Sequence, residues 1–130
     1  MLGKIFADTS FFIALTNEKD QYHQQVQSLA GKYLRHFLIT TDAVLFEIGN
    51  ALAKTHKTET LKIIQTLRNS PKTGVINISE ELFDKGLDIY DKDLGLVDCI
   101  SFAVMWEREI FEVLTFDDDF KQAGFIVLEN

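Results

Sequence analysis

Short apolar runs alternate with amphipathic stretches along this chain, and the spacing within each predicts the element it forms. Residues 4–7 read as a short buried strand, closed by Asp8, Thr9 and Ser10, whose side chains suit the start of a helix over 11–15. Asp20 stands as the cap of a helix over 21–35, with Tyr22, Val26, Leu29, Tyr33 and then Phe37 recurring on one stripe. A strand over 37–40 follows. Thr41 or Asp42 can cap the next helix, expected to run through Lys54, and residues 58–69 carry Leu61, Ile64 and Leu67 at helical spacing. The one proline, Pro71, falls in a turn, after which 75–78 reads as a strand and Ser79 as the cap of a helix bearing Leu82, Phe83, Leu87 and Tyr90. A helix over 96–107 and strands over 110–114 and 125–128 complete the chain.

Strands alternating with helices predict an α/β fold in which helices cover both faces of a mostly parallel sheet. Parallel strands need crossovers, and strands buried on both sides lack polar alternation. Ligands in such sheets gather at the carboxyl ends of the strands, near the point where strand order reverses. With 130 residues, 46% of them apolar and 25% charged, and no repeat, low-complexity tract or linker, residues 1–130 are expected to form one domain.

Asp8 interrupts the opening apolar stretch, including Met1 and Leu2, before it reaches signal-peptide length, and no later run approaches the roughly 18–20 apolar residues of a membrane span. The single cysteine, Cys99, excludes an intrachain disulfide, so the expected compartment is the cytoplasm. A net charge of −7 argues against a polyanion partner, but its distribution is uneven. Residues 1–79 hold nine Lys or Arg against six acids, and residues 80–119 hold three against thirteen, so phosphate contacts are expected from the first half.

Candidate chemistry lies in Asp8, Glu47, Asp98 and Asp117, each placed where an apolar segment ends or is interrupted. Each also has a purely structural account. Asp8 suits a helix cap after a strand. Glu47 sits among apolar neighbours and reaches either a buried partner or solvent at the helix rim, while the adjacent Gly49 suggests close packing against another element. Asp98 interrupts a helix that is apolar nearly all round, and must be partnered or stand in the first turn, where the helix dipole favours it. Asp117 opens the run Asp117-Asp118-Asp119, ordinarily a solvated turn, of which only Asp117 is expected to point inward. Thr115 and Ser10 are candidate hydrogen-bond donors behind these acids. His23, His36 and His56 have no ligand spacing, no glycine-rich phosphate loop is present, and no histidine base is evident for Ser10 or Ser101. Lys54 and Lys57, with Lys62 and Arg68 beyond them, form a candidate basic strip near the Glu47 helix, or else solvated helix ends.

Four segments together carry a family resemblance: Ile5-Phe6-Ala7-Asp8-Thr9-Ser10, Thr41-Asp42-Ala43 leading to Glu47-Ile48-Gly49-Asn50, Leu96-Val97-Asp98-Cys99-Ile100-Ser101, and Leu114-Thr115-Phe116-Asp117-Asp118-Asp119. In this order and spacing the chain resembles PIN-domain ribonucleases of the VapC toxin type. The resemblance covers nearly the whole chain and departs from the family chiefly at Gly95, where serine is common. It implies a three-layer α/β fold with about five strands. It also implies Asp8, Glu47, Asp98 and Asp117 as catalytic residues and ligands of Mg²⁺ or Mn²⁺, with Asp93 and Asp119 as less constant acids. The implied activity is metal-dependent RNA hydrolysis leaving 5′-phosphate and 3′-hydroxyl ends, without a covalent intermediate. An antitoxin partner and a homodimer follow from the same resemblance, and a membrane role does not. A non-catalytic PIN-like module binding RNA or protein is the competing expectation. A phosphatase using Asp8 as nucleophile is disfavoured because its usual second acid would fall at Ser10.

Overall fold

The computed structural model describes residues 3–91 and 93–130, leaving Met1, Leu2 and Lys92 outside. Its elements are β1 (Ile5–Ala7), α1 (Thr9–Thr16), α2 (His23–Tyr33), β2 (Leu38–Thr41), α3 (Asp42–Ala51), α4 (Lys57–Asn69), β3 (Thr73–Ile76), α5 (Glu80–Asp88), α6 (Leu96–Glu107), β4 (Glu112–Leu114), α7 (Asp118–Gln122) and β5 (Ile126–Val127). The strands lie in the order β3-β2-β1-β4-β5, and every pairing is parallel. This is the expected α/β architecture. Every residue of β1 and β2 is buried, which explains their unbroken apolar or threonine-rich runs.

Phe6 faces a cluster of rings supplied by Phe102 of α6, Phe120 of α7 and Phe125, with the Phe102 and Phe120 rings edge to face at 4.9 Å. Helices α1 to α4 pack on one another, and α5 packs on α6. Gly86 makes the latter contact close, because a Cβ there would stand 2.5 Å from Ile100 Cγ1. The side chain of Thr41 accepts the Val44 N–H and that of Ser79 accepts the Leu82 N–H, so both expected caps form.

Some expectations fail for local reasons. Asp20 accepts the Tyr22 N–H in a turn before α2, whose capping position is Tyr22 itself. Helix α3 stops at Ala51, with the Leu52 N–H still bonded to Ile48, and does not continue through Lys54. On α5, Leu82 and Gly86 are buried, whereas Phe83, Leu87 and Tyr90 are exposed. Leu61 of α4 and Phe37 also face solvent. Gly49 is not a packing glycine, since a Cβ there would meet nothing within 4 Å. Among the described residues, no helix is long and apolar enough to cross a membrane.

Candidate acidic metal site

Chain order fixes where the site lies. From β1 the chain proceeds to β2 and β3 on one side, then returns to β4 on the other, so the order reverses between β1 and β4. Asp8 leaves the end of β1 and donates its N–H to Leu114 O at the end of β4, 3.0 Å away. The two strand ends, and the side chains just beyond them, therefore meet at the switch point.

Asp8 is 2% exposed. It occupies the capping position of α1, yet its side chain makes no capping bond. Its Oδ2 instead accepts the hydroxyls of Thr115 at 2.9 Å and Ser10 at 3.1 Å, while its buried Oδ1 has no partner. Burial raises its pKa; the hydroxyls of Thr115 and Ser10 and the nearby amides of Thr9 and Ser10 oppose that rise. The same two hydroxyls also hold the backbone of the next strand end. Ser10 Oγ accepts the Phe116 N–H at 2.9 Å, and Thr115 Oγ1 accepts the Asp117 N–H at 3.0 Å.

Asp117 caps α7 by accepting the Asp119 N–H at 2.9 Å, which turns Asp119 back toward the strand end. Asp98 lies in the first turn of α6. Carboxylate oxygens of Asp98, Asp117 and Asp119 all lie within 4.8 Å of one another, close enough to share one cation. Burial, followed by the charges of Asp8, Asp117 and Glu47, pushes the Asp98 pKa up to about 8, and a hydrogen bond to Asp117 acts in the same direction. Asp119 is also raised, by desolvation first and then by Asp117. Glu47 stands on α3 and accepts the Thr9 hydroxyl.

The other three sequence-predicted acids, Asp8, Glu47 and Asp117, thus all act on Asp98, but the tight group differs from the expected set. Asp119 belongs to it, whereas Asp8 and Glu47 flank it. Asp93 is exposed and acts on Asp119 only through its charge. Lys54 and Lys57 are exposed around the α3–α4 turn. Thr9, the partner of Glu47, had only its position beside Asp8 to mark it, because nothing in the sequence shows a contact between residues 38 positions apart.

Among the described residues, the ion pairs are Lys85 with Glu81 and with Glu107, so no salt bridge reaches the acidic cluster. The donor set is all oxygen, with one buried carboxylate oxygen unpartnered, and it suits a hard divalent cation such as Mg²⁺ or Mn²⁺ better than zinc.

Residues 5–126 match the PIN domain family. The chain is 30% identical over 127 residues to the 23S rRNA-specific endonuclease VapC20 of Mycobacterium tuberculosis, in two strains, with 94% of this chain and 95% of the relative covered. The crystal structure of Mycobacterium tuberculosis VapC20, a sarcin–ricin loop cleaving toxin, superposes with a TM-score of 0.86 at 28% identity, covering 97% of this chain and 99% of that one. A toxin–antitoxin complex from Klebsiella pneumoniae shares the fold, with a TM-score of 0.68 at 15% identity and 95% of each chain covered.

Proposed function

The chain belongs to the PIN domain family, and from that membership we propose that it is a metal-dependent endoribonuclease, the toxin of a VapBC-type toxin–antitoxin pair. The observation that carries this reading is the gathering of Asp98, Asp117 and Asp119 at the sheet switch point beside the unpartnered Oδ1 of Asp8. Asp98, Asp117 and Asp119 would hold a Mg²⁺ or Mn²⁺ ion, with Asp8 and Glu47 at its flanks. When bound, such an ion polarises a phosphate and lowers the pKa of a nearby water. Thr115 and Ser10 fix Asp8 from one side, so its free oxygen keeps a constant direction. Glu47, oriented by Thr9, is placed to bind the ion or to orient the attacking water.

The substrate assigned here is a structured loop of 23S ribosomal RNA, with the sarcin–ricin loop as first candidate, because the relative of known specificity cuts there. Lys54 and Lys57 are assigned to the RNA backbone. Charge reversal at both should weaken RNA binding and leave metal binding intact, and equal RNA affinity discards that contact. The reading also carries an antitoxin partner, a homodimer and a cytoplasmic setting. Exposed apolar side chains such as Phe46, 69% accessible, offer surface for such partners.

Mn²⁺-dependent cleavage of a sarcin–ricin hairpin by wild type and Asp98→Asn tests the chemistry. A loss of at least ~10²-fold in the variant is expected, since a ligand should cost no less than its supporting groups. Equal trace cleavage by both proteins would end the nuclease reading. Inducible expression that leaves growth and translation unchanged would remove the toxin role alone.

A further inference from the structure

Beside the acidic cluster, two partly buried rings stack at the edge of the hydrophobic core. The rings of Tyr22 and Phe116 stack with centroids 4.4 Å apart and planes 2° from parallel, the flattest of the described aromatic pairs. Both side chains are only half-buried. Both line a cleft of about 390 Å³ with Gln25, Thr115, Asp117 and Lys121, so the cleft shares Asp117 with the acidic site.

We propose that this stacked pair is a platform for an unpaired RNA base adjoining the scissile phosphate, an assignment that rests on the nuclease reading of the acidic site. Phe116 is the residue before Asp117, and its N–H is held by Ser10, the same hydroxyl that holds Asp8. The Phe116 backbone and Asp8 therefore share one brace, and Asp117 follows the ring directly in the chain, which places the ring beside the acidic site. Charge selects the occupant. Asp117, Asp118 and Glu129 face the cleft against Lys121, a balance that repels a phosphate and tolerates a neutral planar base. Gln25 presents an amide with both donor and acceptor capacity to the base edge. The stack gives affinity, and Gln25 is positioned to give preference among bases.

The test uses a sarcin–ricin hairpin with single abasic sites scanned through the loop, cleaved in Mn²⁺ by wild type, Tyr22→Phe and Tyr22→Leu. One abasic position beside the cut should lower wild-type kcat/KM by roughly 5- to 150-fold, the range of one base–aromatic stack. Tyr22→Leu should lose a similar factor on intact RNA and nothing further on that abasic RNA, while Tyr22→Phe retains wild-type behaviour. Uniform cleavage of the abasic series by wild type, or penalties that multiply in Tyr22→Leu, would overturn the platform and leave the nuclease standing. The abasic scan with wild type needs no variant to fold. If no RNA is cut, the nuclease reading fails separately. Binding of the hairpin carrying 2-aminopurine in the loop then decides the platform: fluorescence quenching lost in Tyr22→Leu and kept in Tyr22→Phe supports it, and unquenched binding to wild type rejects it.

Discussion

Asp98→Asn should make the metal-free protein more stable, and increasingly so as pH rises. In the folded chain the Asp98 carboxyl titrates at about 8 and in a free chain at 3.8. Below the lower value both states are protonated and the residue contributes no pH dependence. Between the two values the unfolded chain is ionised and the folded one is not, so stability falls with rising pH, and above about 8 the penalty is complete. At 1.36 kcal/mol per pH unit the full interval corresponds to roughly 5–6 kcal/mol, and screening by water on the open side of the half-buried carboxyl reduces this to roughly 2–3 kcal/mol. Asparagine keeps the size of the protonated acid and a donor for Asp117, but carries no charge. For a chain of this length, about 3–5 °C per kcal/mol places the variant roughly 6–15 °C above wild type at pH 9, with the gap nearly closed at pH 4.5. Thermal melts followed by circular dichroism in EDTA across that range provide the measurement. Parallel melting curves for the two proteins would refute the claim that burial, together with the neighbouring acids, holds Asp98 protonated in the folded state.

Thr115→Val removes the hydroxyl that donates to Asp8 and accepts from Asp117, at a cost of about 1–3 kcal/mol in urea unfolding for the unmet buried groups. That hydroxyl also lowers the Asp8 pKa, so the acid limb of the cleavage profile should move to higher pH; an unmoved limb contradicts the role. Gly86→Ala should destabilise by about 1–3 kcal/mol, because the new methyl meets Ile100 Cγ1 at 2.5 Å and Ile100 backbone at 3.4 Å. A urea midpoint at or above that of wild type would show that α5 and α6 separate freely. Gly49→Ala should instead stabilise by about 0.5–1 kcal/mol, since the site is helical and open, and a lower midpoint would reveal a contact there.

The sequence pattern carried the sheet well, because strands buried on both faces leave continuous runs such as Ile5–Ala7 that no solvated element would show. Asp98 was legible for a related reason: it is the one acid in α6 ahead of the terminal Glu107, in a stretch otherwise nearly all apolar. Periodicity failed where two stripes shared one spacing. On α5, Phe83, Leu87 and Tyr90 repeat just as Leu82, Gly86 and Ile89 do, and only the contact of Gly86 with Ile100 selects the second set. Helix α7 has five residues, too few for a period to register. Without it, the residues alone place Asp119 in a solvated acidic run, and only the family resemblance marks it, as a less constant acid. The Tyr22–Phe116 stack joins residues far apart in sequence, and neither carries a local mark of the other.

Hydroxyls, not cations, support the acids of this site. Thr115 and Ser10 hold Asp8, and Thr9 holds Glu47; among the described residues no salt bridge reaches these acids, Asp98, Asp117 or Asp119. A neutral donor fixes a carboxylate's direction and supplies only part of the stabilisation that a paired arginine would give. The folded chain therefore orients its carboxylates without neutralising them. Burial raises the pKa values of Asp8, Asp98 and Asp119, and for Asp98 and Asp119 the neighbouring acids raise them further. An arginine in place of those hydroxyls would relieve the repulsion and also occupy the position a divalent ion needs. Under the proposed function, a divalent ion bound among these acids would relieve both their burial and their repulsion, so the same groups that weaken the metal-free chain would favour the ion.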